Sequence, residues 1–134
     1  MNQPKLIEFH DAVVASIVVE RSGLRIEFEH VSCYYSTEMQ DVYDVMSCKG
    51  SIRVDGARDF SCSLSLGGER IVASDGSVVV DGAEVGFSSS LVFEGCCQFT
   101  LSFLIGEDVK VAGGRIEFRI NSVGRTIGRF HGRV

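Results

Sequence analysis

The feature that most constrains this chain is an apolar residue at every second position, repeated in several short segments. One side of residues 97–105 is entirely apolar and carries Cys97, Phe99, Leu101, Phe103 and Ile105. The alternation returns at residues 115–121, with Ile116, Phe118 and Ile120 on the apolar side. Because successive side chains of a β-strand point to opposite faces, this period of two predicts antiparallel strands that bury one face.

Turn signals separate these segments at roughly ten-residue intervals. The chain has 15 Gly and one Pro, and the Asp-Gly dipeptide, which favours two-residue hairpin turns, occurs at residues 55, 75 and 81. Short strands at such spacing are typical of sandwiches and barrels. The sequence therefore predicts a single all-β domain over residues 1–134, an antiparallel β-sandwich or flattened barrel of about nine or ten strands.

The first hairpin is predicted at residues 13–20 and 24–31, joined by the turn RSG. A regular second strand places Leu24, Ile26, Phe28 and His30 on one face. It places Arg25, Glu27, Glu29 and Val31 on the other. We therefore expect His30 to continue the apolar face.

One segment departs from the strand pattern. Met39, Val42, Tyr43 and Met46 recur at helical spacing, which predicts at most one short helix near residues 37–47. Val42 and Tyr43 favour strands, so a strand over the same residues is the alternative.

The cysteines and the N-terminus indicate a reducing compartment. The five cysteines, at positions 33, 48, 62, 96 and 97, are odd in number and lack C-x-x-C spacing. The start MNQPKLIEFHDA has no long apolar stretch of the secretory kind, and no apolar run reaches the roughly 18 residues that cross a bilayer. We expect a cytoplasmic protein without a membrane segment, with Cys48, Cys62 and Cys97 in the core.

Charge is distributed unevenly along the chain. Residues 110–134 carry a net charge of +5, and residues 1–109 carry −10. A basic end on an acidic body can bind an anionic partner, its own body or a second copy. We favour self-complementarity, with its own body or with a second copy as in a homodimer, over a separate anionic partner. The acidic body and the lack of Trp argue against a nucleic-acid partner.

His10 and Asp11 are the main candidates for catalysis, because a histidine base is often oriented by a carboxylate. Neighbours on a regular strand diverge, however, so we interpret the pair as the polar start of the first strand. His30 is a further weak catalytic candidate. The three histidines, which include His131, lack metal-ligand spacing, so we expect no metal site. Phosphate-loop and dinucleotide motifs are absent, and we expect no cofactor.

The segments FHDAVVASIVVE and GLRIEFE, within residues 9–29, resemble the opening of several small bacterial proteins of unknown function. In these proteins an H-D-A or H-D-S motif precedes a strand, a Gly-containing turn and a second strand. Some are similar to immunity proteins that neutralise toxins. The resemblance implies a bacterial cytoplasmic setting and an interaction function, and it assigns no catalytic residue.

Three functions follow from these observations. The favoured one is a non-enzymatic protein-interaction module, immunity-like, that acts through surface complementarity. The first alternative is a small-ligand-binding β-barrel, which predicts a cavity lined by residues such as Phe28, Phe99, Phe103 and Phe118. The second alternative is an enzyme that uses His10 and Asp11, which predicts that His10 lies in a cleft beside another titratable side chain.

Overall fold

The computed structural model describes residues 3–62, 71–88 and 90–134, and these residues form an all-β fold. It has eight strands: β1 (Leu6–Glu20), β2 (Gly23–Ser36), β3 (Val42–Asp55), β4 (Arg58–Cys62), β5 (Ile71–Val80), β6 (Ala83–Val85), β7 (Val92–Phe103) and β8 (Asp108–His131). Every strand pairing is antiparallel. The predicted fold class is confirmed. The described residues hold eight strands rather than nine or ten because β1, β2, β3 and β8 are longer than the turn spacing suggests.

Six of the strands close into a ring. Hydrogen-bonded neighbours follow the order β1, β2, β3, β8, β7, β5, and β5 pairs again with β1. The closing contact is short, with Val13 opposite Val72 and Val14 opposite Ile71. The fold is thus a small barrel, flanked by β4 on β8 and by β6 on β5. Among the described residues no helix is long and apolar enough to cross a membrane.

Phenylalanine rings fill the centre of the barrel. The ring of Phe9 lies 5.6–6.1 Å, centroid to centroid, from four others: Phe28, Phe87, Phe99 and Phe118. All five side chains are buried. Buried aromatic rings provide much of the stability of a core of this size.

The predicted apolar faces of β7 and β8 are largely confirmed. In β7, Cys97, Phe99, Leu101 and Phe103 are all buried. Ile105 is 71% exposed, contrary to expectation. The strand has ended at Phe103, whose carbonyl accepts a hydrogen bond from Gly106 N across a tight turn.

Bulges in β1 and β2 shift the alternation by one residue. In β1 the buried positions are 7 and 9, followed by 12 and 14, and the pairing with β2 is irregular between Glu8 and Val13. In β2 the buried positions are 24, 26 and 28, followed by 31, 33 and 35. An extra residue rotates the following side chains to the opposite face. The predicted faces of His30 and Val31 are therefore wrong: Val31 is in the core, and His30 lies outside.

No helix forms near residues 37–47. Thr37 to Asp41 make a turn, in which Thr37 N donates to the Val42 carbonyl, and β3 begins at Val42. The strand alternative is the one observed, because β3 hydrogen-bonds to β2 on one side and β8 on the other. The hydrogen bonds that β3 makes with two neighbouring strands therefore stabilise the strand more than the helical spacing of four apolar residues favours a helix.

The Asp-Gly dipeptides serve different purposes. Asp81 and Gly82 both have positive φ, at 51° and 83°, as a two-residue hairpin turn between β5 and β6 requires. Gly56 (φ 65°) follows β3, whereas Asp75 and Gly76 lie inside β5. In β5 a Cβ on Gly76 would lie 2.8 Å from the Phe9 ring, so this glycine is needed for close packing.

We expect Gly50→Ala in β3 to destabilise the barrel by about 1–3 kcal/mol, because overpacking forces neighbouring atoms apart. A Cβ at Gly50 would lie 2.8 Å from both the Arg119 carbonyl oxygen and Phe118 Cζ. The matched control is Gly128→Ala in β8, where a Cβ would meet nothing within 4 Å. Urea unfolding compares the two variants, and an equal loss of stability in both would contradict the packing argument.

Candidate functional site

A row of polar side chains crosses four strands on the outer wall of the barrel, beside the bulges. We call it the polar row: His10 and Asp11 on β1, His30 on β2, Ser47 on β3 and Arg125 on β8. The register places the row on successive strands, with His30 opposite Val13 and Ser47 opposite Ser32. The structure thus gathers all three weak catalytic candidates, together with two residues that the sequence did not indicate.

His10 and Asp11 face each other rather than diverging. Asp11 has φ 64°, a left-handed conformation that Asp tolerates, and it lies in the β1 bulge. His10 Nε2 is 3.6 Å from Asp11 Oδ2 as a result. Both residues lie within β1, which begins at Leu6, so their interpretation as the polar start of the first strand is wrong.

His10 also connects β1 to β5. Its Nδ1 donates a hydrogen bond to the Ser74 carbonyl oxygen at 2.9 Å, next to the two residue pairs that close the ring. This hydrogen bond raises the pKa of His10, and the negative charge of Asp11 raises it further. The two side chains are 60% and 66% exposed, so the pair lies on the open wall of the barrel and not in a cleft.

His30 is bound to Ser47 instead of Asp11. Its Nδ1 lies 2.6 Å from Ser47 Oγ. Partial burial lowers the pKa of His30; the charge of Asp11 opposes this shift, and Arg125 reinforces it. One sequence signal indicates that His30 faces outward. The apolar positions change from the even numbers 24, 26 and 28 to the odd numbers 31, 33 and 35. Ser47 itself has no such signal.

The chemistry available to the polar row is limited. A serine nucleophile needs a base and an acid that orients the base. Ser47 supplies a hydroxyl and His30 supplies a base, but the Asp11 carboxylate faces His10 and does not orient His30. No group of three His, Cys, Asp or Glu side chains that could hold a metal ion occurs in the described residues. His131 lies far from the row, at the end of β8 opposite Val42.

The cysteines behave mostly as core residues. Cys48 and Cys97 are buried as predicted, Cys33 is also buried, and Cys62 is half-buried against the core. Burial raises the pKa of the Cys97 thiol. Cys96 is exposed and lies 3.7 Å from Arg58 Nη2. Cys33, Cys48, Cys96 and Cys97 carry free thiols.

The other candidate surface is the end of the chain. We call residues 119–134 the C-terminal ribbon, which comprises the second half of β8 and the three residues that follow it. The last link between β8 and the segment before β7 is the hydrogen bond from Phe118 N to the Leu91 carbonyl oxygen, at 2.8 Å. Beyond Phe118, within the part of the chain that the structure describes, β8 pairs only with β3. One edge of the ribbon therefore has no neighbouring strand in the described ranges.

The ribbon combines positive charge with exposed apolar groups. It contains four arginines and no acidic residue. Arg119 pairs with Glu117 and Arg129 with Asp44, whereas neither Arg125 nor Arg133 forms an ion pair within the described residues. Ile127, Phe130 and Val134 are each 38–44% exposed. The Phe130 ring rests on Tyr34, with centroids 5.7 Å apart.

A groove of about 410 Å³ lies beside the start of the ribbon. We call it the mouth groove; its walls include Pro4, Tyr35, Leu91, Ile120 and Val123. Its rim includes the oppositely charged residues Glu117 and Arg119. The groove separates the unpaired edge of β8 from the N-terminal segment, where Lys5 N donates to the Tyr34 carbonyl.

Elsewhere on the barrel wall, many acidic side chains are already neutralised by arginine. Arg25 pairs with Glu20 and Glu27. Arg53 pairs with Asp55, and Arg115 lies within ion-pair distance of Asp55, Glu94 and Glu117. In these groups positive and negative side chains alternate across neighbouring strands, so each group carries little net charge. The ribbon, by contrast, retains its positive charge.

Comparison of the chain with protein-family models, with curated proteins and with solved structures finds no match.

His10 and His30, which are hydrogen-bonded to Ser74 and Ser47, should affect the stability of the fold with opposite pH dependence. The folded pKa of His10 is raised above its ordinary value of 6.5, so its contribution is complete below pH 6.5 and is lost as pH rises through the folded value. The folded pKa of His30 is lowered, so stability present above pH 6.5 is lost as pH falls through its folded value. We expect His10→Ala to fold normally and lose stability mainly at acidic pH.

Chemical denaturation from about pH 5 to about pH 8 tests this, with His30→Gln as the opposite case. Relative to the wild-type chain, His30→Gln should resist acid better. Parallel pH profiles for the wild-type chain and both variants would show that neither histidine changes its pKa on folding.

Proposed function

We propose that this protein is a non-enzymatic protein-interaction module that binds its partner through the C-terminal ribbon and the mouth groove. The observation that supports this most is the positive charge of the ribbon, with two arginines outside any ion pair among the described residues, next to exposed apolar side chains. Arginine and aromatic residues are enriched at protein interfaces, and a few such residues provide most of the binding energy.

The interior of the barrel supports this function better than ligand storage. The ligand-barrel alternative requires space around Phe28, Phe99, Phe103 and Phe118. These four side chains are buried, and the rings of Phe28, Phe99 and Phe118 pack against Phe9. The centre is therefore occupied by the protein itself.

The enzyme alternative receives little support from the polar row. His10 and Asp11 are mostly exposed on an outer wall, where water competes for both groups. A catalytic pair is more effective in a site that excludes water and holds the substrate. The contact between His10 and Ser74, which joins β1 to β5, supports a structural role for this histidine.

The proposed setting is a bacterial cytoplasm, and the proposed class is immunity-like, as the resemblance of residues 9–29 implies. We propose a different protein as the partner in preference to a homodimer. Pairing two ribbons edge to edge brings arginines of both copies together with no carboxylate in either ribbon. Like charges directly opposite each other destabilise a sheet.

Position-specific photo-cross-linking in cells of the source organism tests the proposal. A photoreactive residue replacing Asn121 or Thr126, both exposed on the ribbon, should form an adduct with one defined protein. The matched control is Gln98, exposed on β7 away from the ribbon, which should not form this adduct.

The proposal is contradicted if the adduct forms equally from Gln98, or if Gln98 alone forms one. An adduct between two copies of this chain from the ribbon positions would replace the heterologous partner with a homodimer.

A further inference from the structure

Among the described residues the wall of the barrel is incomplete beyond Phe118, and the mouth groove lies at this opening. β7 begins at Val92, opposite Glu117 of β8, so it stops where the ribbon starts. β8 continues to His131 beside β3. The groove lies between this edge and the N-terminal segment, and is lined by residues of both.

The walls of the groove suit an apolar side chain. Leu91, Ile120 and Val123 are only partly buried and line it, together with the buried Pro4. An apolar group placed there would cover surface that now faces water, at a gain of about 25 cal/mol for each Å² buried. A large apolar side chain of a partner can therefore anchor there.

The backbone of β8 can bind an extended segment in the same groove. In an edge strand, alternate N–H and C=O groups point away from the paired neighbour and are available to an added strand. The pairing of β8 with β3 has three register shifts, all between Ile120 and Gly128. Bulges interrupt regular pairing, so the groove suits a short segment rather than a long strand.

The charges next to the groove specify acidic residues in that segment. Arg125 lies two residues beyond Val123, and Arg129 lies six residues beyond it. Six extended residues cover at most about 20 Å, at roughly 3.3 Å each. Carboxylates within about six positions of the anchor can therefore reach both arginines.

We propose that the mouth groove and ribbon bind a short, extended, acidic segment of the partner protein, with one large apolar side chain of the segment inserted in the groove. The inference rests on the proposed function and adds the chemistry of the ligand. It differs from general attraction to polyanions, because it requires an anchor and a chain that can donate and accept backbone hydrogen bonds.

Selection from a display library of random peptides against the wild-type chain tests this inference. Enriched peptides should carry one large apolar residue with at least two Asp or Glu within about six positions, as the spacing of the arginines requires. Affinity of the best peptide should fall by about tenfold or more in Arg125→Glu, through charge reversal. The matched control is Arg21→Glu, in the exposed β1–β2 turn, which should bind like the wild type.

A second measurement separates the parts of the proposal. N-methylation of alternate backbone amides in the best peptide should abolish binding, and replacement of its apolar residue by Ser should weaken it strongly. Undiminished binding of the N-methylated peptide, or equal binding of single-stranded RNA, would reduce the site to an electrostatic patch and overturn the inference.

Other outcomes also overturn it and leave the proposed function to its own test. These are enrichment of peptides without acidic residues, peptides that bind Arg125→Glu unchanged, or no enrichment. The cross-link from Asn121 to a folded partner surface would then still support an interaction module. Loss of both the peptides and the cross-link would remove the proposed function as well.

Discussion

Closure of a narrow barrel around the Phe9 cluster is the constraint on which the rest of the structure depends. Six strands must bend sharply to enclose five aromatic rings, and bending is obtained from bulges and from glycines that allow close approach. Gly76 faces the ring of Phe9, and Gly50 faces that of Phe118. Two residue pairs between β1 and β5 complete the ring within the described residues, and the hydrogen bond from His10 to Ser74 joins the same two strands.

This curvature also explains the polar row. Each bulge adds a residue that the partner strand cannot match, and its side chain is turned outward. His10 and Asp11 occupy the bulge of β1, and His30 occupies that of β2. Residues that resemble a catalytic pair in the sequence are thus residues that the bent strands exclude from the core, held by hydrogen bonds to Ser74 and Ser47.

The sequence predicts the all-β class and the inner faces of β7 and β8, because alternation is a local property of a straight strand. Its limits lie where strands are not straight. The shifted alternation in β2 was readable, but a regular strand places His30 inward, whereas the bulge places it outward. Of the two alternatives for residues 37–47, the sequence could not select the strand for a different reason: its hydrogen bonds to β2 and β8 are non-local. The basic end was visible in the sequence, but the missing neighbour of β8 depends on where β7 begins.

An edge strand without a neighbour invites uncontrolled pairing, and proteins commonly protect such edges with charges and bulges. The ribbon has both, since its arginines repel a second ribbon and its irregular register prevents long pairing. The same features define what can bind. A short segment avoids the bulges. An acidic segment is attracted by the same arginines that repel a second ribbon. Protection against the chain's own copies and selection of an acidic partner are therefore two consequences of one arrangement of charge along β8.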